Sequence, residues 1–150
     1  MAEHHFLLKA DWHGGRNSTG FIDAGGLKAE ISIPKEMDGP GVGTNPDEML
    51  LGAAATCYLI TLAAMLERAK IPVSQLKLES EGIVEVEQGV FTYKKIIHRP
   101  KVTLAAEADG KDVEKAGLLS EKAEKSCMIS RAVQGNVEIQ VEAEIGTAEE

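Results

Sequence analysis

Residues 43–69 read GTNPDEMLLGAAATCYLITLAAMLERA, and the longest apolar segment of the chain lies within them. Asn45 is a good N-cap, Pro46 suits the first helical position, and Glu48 stands where a capping box requires an acid. The segment therefore predicts a helix from Pro46 to about Ala69. Because its middle is apolar on every side, we expect this helix to be central in the fold.

This segment is also long and apolar enough that it could be a transmembrane helix. The stretch from Met49 to Leu66 carries no charged side chain, and about 20 such residues cross a bilayer. It contains Gly52 and five alanines, however, and the rest of the chain alternates like a soluble sheet protein. We interpret it as a buried helix of a soluble protein and expect no membrane partner.

The flanking segments predict strands and a second helix. Alternating polar and apolar residues, bounded by glycines and prolines, indicate strands over His5–Trp12, Phe21–Asp23, Leu27–Ile33, Leu76–Gln88, Phe91–Leu104 and Val137–Ile145, the fourth and fifth joined at Gly89. Apolar residues at three- and four-residue steps predict a helix over Asp112–Cys127, with Cys127 on its buried stripe. The order βββ–α–ββ–α–β predicts an α+β fold, with helices against an antiparallel sheet, in a single domain over residues 1–150.

The net charge of the chain limits the kinds of partner that it can bind. A net charge of -8 and a pI near 5.1 argue against a nucleic-acid partner, because phosphate binding requires clustered lysines and arginines. The first residues show no cationic segment leading into an apolar run, so we expect neither a secretory signal nor a transit peptide. The expected location is the cytosol.

Two cysteines, Cys57 and Cys127, are the first candidates for chemistry. In a reducing compartment they are expected to be free thiols or a transient redox pair and not a structural disulfide. They lie 127 − 57 = 70 positions apart, so their spacing leaves open whether they meet or whether each is a small apolar core residue. The histidines and cysteines lack the spacing of metal ligands, and Gly14-Gly15 is not part of a phosphate loop. We therefore expect no metal and no bound cofactor.

Arg16 is the first candidate for a group that activates a thiol. A guanidinium beside a sulfur lowers the pKa of the thiol, and the Gly14-Gly15 turn could aim it inward. The alternative interpretation is an ordinary exposed loop arginine. Arg131 is a second candidate, since it would share a face with Cys127 if the helix continued.

An acid in the first turn of the central helix could orient such an arginine. Asp47 and Glu48 both suit the positive end of the helix, but capping requires only one of them. Asp47 lies ten residues before Cys57, which is about 15 Å along a helix and too far for direct contact. A second copy of the helix packed antiparallel would bring the two together. We therefore predict a homodimer with shared active sites.

Two cysteine motifs resemble those of one family. Residues 43–48, followed by Cys57, resemble the first cysteine motif of the OsmC/Ohr family, whose members are named for osmotic induction and organic hydroperoxide resistance. Residues 127–137, CMISRAVQGNV, resemble its second motif at Cys127, Ser130, Ala132, Gly135 and Asn136. The Gly14-Gly15-Arg16 turn and Pro34-Lys35-Glu36 are closer to the Ohr branch. The resemblance extends over nearly the whole chain.

This resemblance implies a fold, an activity and roles for four residues. It implies an intertwined homodimer in which two sheets enclose the pair of cysteine-bearing helices. Cys57 would be the peroxidatic cysteine and Cys127 the resolving one, with Arg16 and Asp47 activating the thiolate. The implied activity is reduction of organic hydroperoxides to alcohols by an external dithiol such as dihydrolipoamide, without metal or flavin.

The sequence departs from the family pattern at two positions. Asp47 stands where the family commonly has Glu, and Glu48 is the alternative acid. Met128 follows Cys127 where the family usually has proline, a residue that would stop the helix and free the sulfur. We therefore expect slower resolution by Cys127.

Two other function classes compete with the peroxidase. The first is a dimer of the same fold that binds small hydrophobic ligands without peroxidase turnover, and its signature would be buried, unreactive thiols. The second is a general disulfide oxidoreductase, which is disfavoured because such proteins normally carry a CxxC motif at an exposed helix start.

Overall fold

Seven strands and three α-helices follow one another in the order βββ–α–ββ–αα–ββ along residues 1–149, the part of the chain that the computed structural model describes. Contacts group the chain into two units, Met1–Met49 and the residues from Leu50 onward. Helix α1, Pro46–Arg68, begins in the first unit and continues in the second. The single domain over residues 1–150 stays a prediction, and its last residue lies outside the described range.

The first unit contains a three-stranded antiparallel sheet. Its strands are β1 (Lys9–Trp12), β2 (Gly20–Ala24) and β3 (Leu27–Ile31), in that order across the sheet. Strand β1 begins later than the sequence pattern predicts, because residues 4–8 are exposed and form no ladder. The loop predicted after β3 contains a short 3-10 helix over Lys35–Met37.

The start of α1 is capped as the sequence predicts. The side-chain oxygen of Asn45 accepts a hydrogen bond from the backbone N–H of Glu48 at 2.9 Å, which satisfies one of the free donors of the first turn. The Glu48 carboxylate accepts a second bond from the Thr44 hydroxyl, also at 2.9 Å. The predicted helix is confirmed, with its end at Arg68 in place of Ala69.

The second unit contains a mixed sheet, whereas the sequence pattern predicts an antiparallel one. Strands β4 (Val73–Glu87) and β5 (Val90–Leu104) form the predicted antiparallel hairpin. Gln88 and Gly89 have φ angles of 50° and 77°, as a tight two-residue hairpin turn requires. Two short strands, β6 (Glu138–Val141) and β7 (Glu144–Thr147), pair parallel to β5 on its other side. Strand β4 is thus an edge of this sheet.

Pro100 explains why the last predicted strand is divided in two. Strand β6 pairs with residues 95–98 of β5, and β7 pairs with residues 101–104. Pro100 lies between these two stretches and has no N–H to donate to a ladder. The alternation of residues 137–145 is that of one strand, but its partner divides it into β6 and β7.

The core of the second unit is built on one face of α1. The buried residues recur at four-residue steps as Ala54, Tyr58, Leu62 and Leu66. The last three of these residues are joined in the core by Val102 and Leu104 of β5 and by Ala116 and Ala123 of α2, Gly110–Ser126. Among the helices of residues 1–149, α1 is also the one that is long and apolar enough to cross a membrane.

Candidate active site

Cys57 and Cys127 meet in the structure. Cys57 lies in the middle of α1, and Cys127 lies between α2 and a third helix, α3, Met128–Val133. Both thiols are free and hydrogen-bonded to each other; Cys57 is partly exposed and Cys127 is fully buried. The structure therefore brings together two sulfurs whose spacing in the sequence says nothing about contact.

The helix that leads to Cys127 ends before it, although no proline follows. Cys127 has extended backbone angles, φ -67° and ψ 127°, which separate α2 from α3. Its N–H still donates to Ala123 O at 3.0 Å, and its carbonyl accepts the N–H of Arg131 at 3.0 Å. The predicted helix over Asp112–Cys127 is therefore confirmed to within two residues at each end, as Gly110–Ser126. Slower resolution by Cys127 stays a prediction.

The surroundings of Cys57 favour its ionised form. Partial burial raises the pKa of the Cys57 thiol, but hydrogen bonds to its sulfur outweigh that effect and leave the pKa below its usual value. The donors are the Cys127 thiol, the backbone N–H groups of Ile129 and Met128, and the Thr61 hydroxyl. Thr61 lies one helical turn after Cys57, a spacing that could have identified it from sequence.

Cys127 is affected in the opposite direction. Burial raises the pKa of the Cys127 thiol, and its hydrogen bond to Cys57 raises it further, because a proton donated to a thiolate is harder to remove. Ser130, which lies beside the sulfur, offsets part of this rise. The pair therefore favours a thiolate at Cys57 and a protonated thiol at Cys127.

Tyr58, the residue after Cys57, fixes α1 against α2. Its hydroxyl donates to the carbonyl of Ser120 at 2.8 Å, and its ring stacks on His98 with centroids 4.6 Å apart. Nδ1 of His98 lies 2.7 Å from the Ser80 hydroxyl. Burial lowers the pKa of His98 to about 4, so this ring is neutral at pH 7. Because His98 lies two residues before Pro100 near a predicted strand end, the sequence pattern alone predicts a surface residue, but His98 is fully buried.

Arg16 binds the backbone of its own unit. Its guanidinium donates to the carbonyl oxygens of Met37 at 2.7 Å and Asp38 at 3.2 Å, and to the side-chain oxygen of Asn17 at 2.8 Å. These bonds fasten the turn before β2 to the loop after β3. The roles of Arg16 and Asp47 toward the thiol stay predictions.

Arg131, the second candidate for a cation beside a thiol, does not lie on one continuous helix with Cys127. It was expected on the face of Cys127 only if one helix continued, and α2 ends at Ser126. The Arg131 side chain instead lines a cleft of about 350 Å³ beside α3, together with Lys125 and Gln134. Within residues 1–149, no three histidine, cysteine or acidic side chains are grouped as metal ligands would be.

Comparison with known proteins identifies the family. The fold and the facing thiols define an α+β protein with a two-cysteine site. Residues 39–142 match the family model described as OsmC-like protein, so the chain belongs to the OsmC-like family. This confirms the resemblance found in the two cysteine motifs. Helix α1 lies within the matched residues and belongs to this soluble OsmC-like fold.

The similarity to individual relatives extends over nearly the full chain. The chain is 66% identical over 145 residues to the uncharacterized protein YmaD of Bacillus subtilis, covering 97% of each chain. It is 28% identical over 145 residues to the organic hydroperoxide resistance protein OhrB of the same organism, covering 91% of this chain and 96% of OhrB. The crystal structure of an organic hydroperoxide resistance protein from Legionella pneumophila superposes with a TM-score of 0.75, covering 96% of this chain and 99% of that one. At 24% identity, this last likeness shows the fold alone.

Proposed function

We propose that this chain is a cytosolic thiol-dependent peroxidase that reduces organic hydroperoxides to alcohols in defence against oxidative stress. The observation that carries the proposal is the contact of Cys57 with Cys127, in which hydrogen bonds favour the ionised form of Cys57. A thiolate is the form of cysteine that attacks a peroxide, and a neighbouring thiol resolves the product. Relatives named organic hydroperoxide resistance proteins support the substrate class.

The proposed reaction has three balanced steps. The Cys57 thiolate attacks the distal oxygen of the hydroperoxide, the O–O bond breaks, and the alkoxide takes a proton from water to leave as an alcohol. Cys57, now a sulfenic acid, is attacked by the Cys127 sulfur; an S–S bond forms, and hydroxide leaves as water with the Cys127 proton. An external dithiol such as dihydrolipoamide then reduces the disulfide by exchange and is itself oxidised to a disulfide. No bound cofactor or metal takes part.

An apolar surface beside Cys57 supports a preference for organic substrates. Ile60 lies one helical turn from Cys57, and 69% of its surface is exposed in the single chain. An alkyl hydroperoxide would bury its tail against such a surface and gain from its removal from water, whereas hydrogen peroxide has no tail. We expect alkyl hydroperoxides to be the better substrates.

The first test is a peroxide-consumption assay. Wild type, Cys57→Ser and Cys127→Ser are compared with cumene hydroperoxide and with hydrogen peroxide, using dihydrolipoamide as the reductant. We expect turnover by wild type with the organic substrate, none by Cys57→Ser, and consumption of one equivalent without turnover by Cys127→Ser. Wild type that consumes no organic hydroperoxide would exclude the peroxidase and favour the ligand-binding dimer.

A further inference from the structure

The cleft beside α3 is large enough to hold a small molecule. Its volume of about 350 Å³ lies at the lower end of the range of small-molecule sites, roughly 300 to 1,000 Å³. Its walls come from the end of α2, from α3 and from residues 137–139, which lead into β6. Neither Cys57 nor Cys127 lines it, so this cleft is distinct from the two-thiol site.

The Ser130 hydroxyl is a buried polar group at this cleft. Only 4% of the Ser130 surface is exposed, and its Oγ has no hydrogen-bond partner within residues 1–149. The Cys127 sulfur lies nearby, but the hydroxyl makes no hydrogen bond of acceptable geometry with it. A buried hydroxyl without a partner is costly, and a bound molecule is one way to satisfy it. Because Ser130 lines the cleft, an acceptor atom held there could take this hydrogen bond.

The charged side chains of the cleft favour an anion. Lys125 and Arg131 line it, and neither forms an ion pair within the described residues 1–149. Glu124 carries the opposing charge, which leaves one positive charge in excess in a chain whose net charge is -8. The planar guanidinium of an arginine matches the geometry of a carboxylate. The cleft therefore has the groups that recognise a carboxylate.

We propose that the cleft beside α3 binds a small organic carboxylate. The carboxylate would accept hydrogen bonds from the Arg131 guanidinium and the Ser130 hydroxyl. A short alkyl chain would cover Val137 and Ile139, the half-buried apolar residues of the lining. An inorganic anion such as phosphate would leave these two side chains uncovered. The inference does not depend on the proposed peroxidase, because neither thiol takes part in the binding.

A titration of the isotope-labelled protein, followed by NMR, tests the chemical class of the ligand. Butyrate is compared with butyramide, which has nearly the same size but no charge. We expect butyrate to shift the amide resonances of residues 130–135 to saturation, and butyramide to bind about tenfold more weakly. Acetate should also bind more weakly than butyrate, because it covers less of the apolar lining. Butyramide that binds as well as butyrate, or phosphate that binds more tightly, would overturn the proposal.

Three variants test which side chains hold the carboxylate. Arg131→Gln and Ser130→Ala should each weaken butyrate binding by about fivefold, the effect of one hydrogen bond or one exposed ion pair. Lys28→Gln removes an exposed cation of β3, in the other unit, and should keep the wild-type affinity. The Arg131 side chain is exposed, so Arg131→Gln decides the question even if Ser130→Ala does not fold. Unchanged binding in Arg131→Gln, or equal weakening in Lys28→Gln, would overturn the proposal.

Discussion

Cys57 and Cys127 have the same side chain, but their surroundings give them different chemistry. Cys57 accepts hydrogen bonds from four groups and is partly open to solvent, whereas Cys127 is buried and donates a hydrogen bond to Cys57. The first arrangement suits a nucleophile, and the second suits a thiol that reacts only once Cys57 has been oxidised. These surroundings support the assignment of roles within the proposed peroxidase.

At the residue scale, His98 also predicts how the stability of the folded protein depends on pH. Burial lowers its pKa from 6.5 to about 4 in the folded protein. Between these values the unfolded chain binds a proton that the folded chain does not, so stability is full above pH 6.5 and declines as pH falls toward 4. Urea unfolding of wild type and His98→Asn from pH 7.5 to 4.5 should show a weaker pH dependence in the variant.

The exposed His13 provides the control for this measurement. His13→Asn makes the same substitution at an exposed position, where no buried contact is lost, so its unfolding curves should match those of wild type. If His98→Asn and wild type lost stability in parallel as the pH fell, His98 would not be the group responsible.

At the scale of elements, the site depends on how α1 and α2 are held together. The contact between the two thiols joins the middle of α1 to the end of α2. The hydrogen bond from Tyr58 to Ser120 joins the same two helices, and Tyr58 directly follows Cys57 in the chain. Tyr58 is fully buried, so its hydroxyl bond is shielded from water. We expect this bond to maintain the separation of the sulfurs.

Tyr58→Phe tests this role. It removes the bond to Ser120 and retains the ring, so we expect a loss of about 1 kcal/mol in the free energy of unfolding. Formation of the Cys57–Cys127 disulfide after one equivalent of cumene hydroperoxide should slow severalfold, as measured by mass spectrometry of quenched samples. Ile71→Val, a change elsewhere in the core with a similar expected cost, is the matched control. Equal disulfide rates in both variants would assign Tyr58 a purely structural role.

Local signals predicted the elements of the fold, and contacts distant in sequence account for the differences. The Asn45-Pro46 start of α1 and the Gly89 hairpin depend on neighbouring residues, so the sequence suffices for both. The division of the last strand depends on Pro100 in another strand. The break at Cys127 has no proline or glycine to mark it. The donors from Met128 and Ile129 were likewise not foreseen, because backbone N–H groups leave no pattern in a sequence.

At the scale of the whole molecule, α1 leaves apolar surface uncovered in the single chain. We expect a second copy of the chain to cover the part of this surface away from Ile60, which stays open to the substrate in the proposed enzyme, because an apolar helix exposed to water is a typical association surface. A homodimer would also let the Asp47 of one chain approach the Cys57 of the other, which about 15 Å of helix prevents within one chain. Arg16 would be oriented by that acid in the proposed enzyme.

Mixing two inactive variants tests the shared site. Cys57→Ser and Asp47→Asn should each lose most peroxidase activity, but subunits exchanged between them should form mixed dimers with one intact site. Random exchange should restore about a quarter of the wild-type activity, because half of the dimers are mixed and each has one working site of two. Glu48→Gln replaces Asp47→Asn in a parallel mixture to identify the acid. A monomeric mass with full activity would exclude the arrangement.

The edge strand β4 affects how this protein behaves when crowded. An edge strand presents unpaired backbone groups that can add a strand from another molecule and start aggregation. Along β4, acidic side chains recur at Glu79, Glu81, Glu85 and Glu87, and the chain as a whole carries a net charge of -8. Like charges on two such edges repel each other before a ladder can form. The protein should therefore stay dispersed at high concentration, and neutralising these glutamates should lower its solubility.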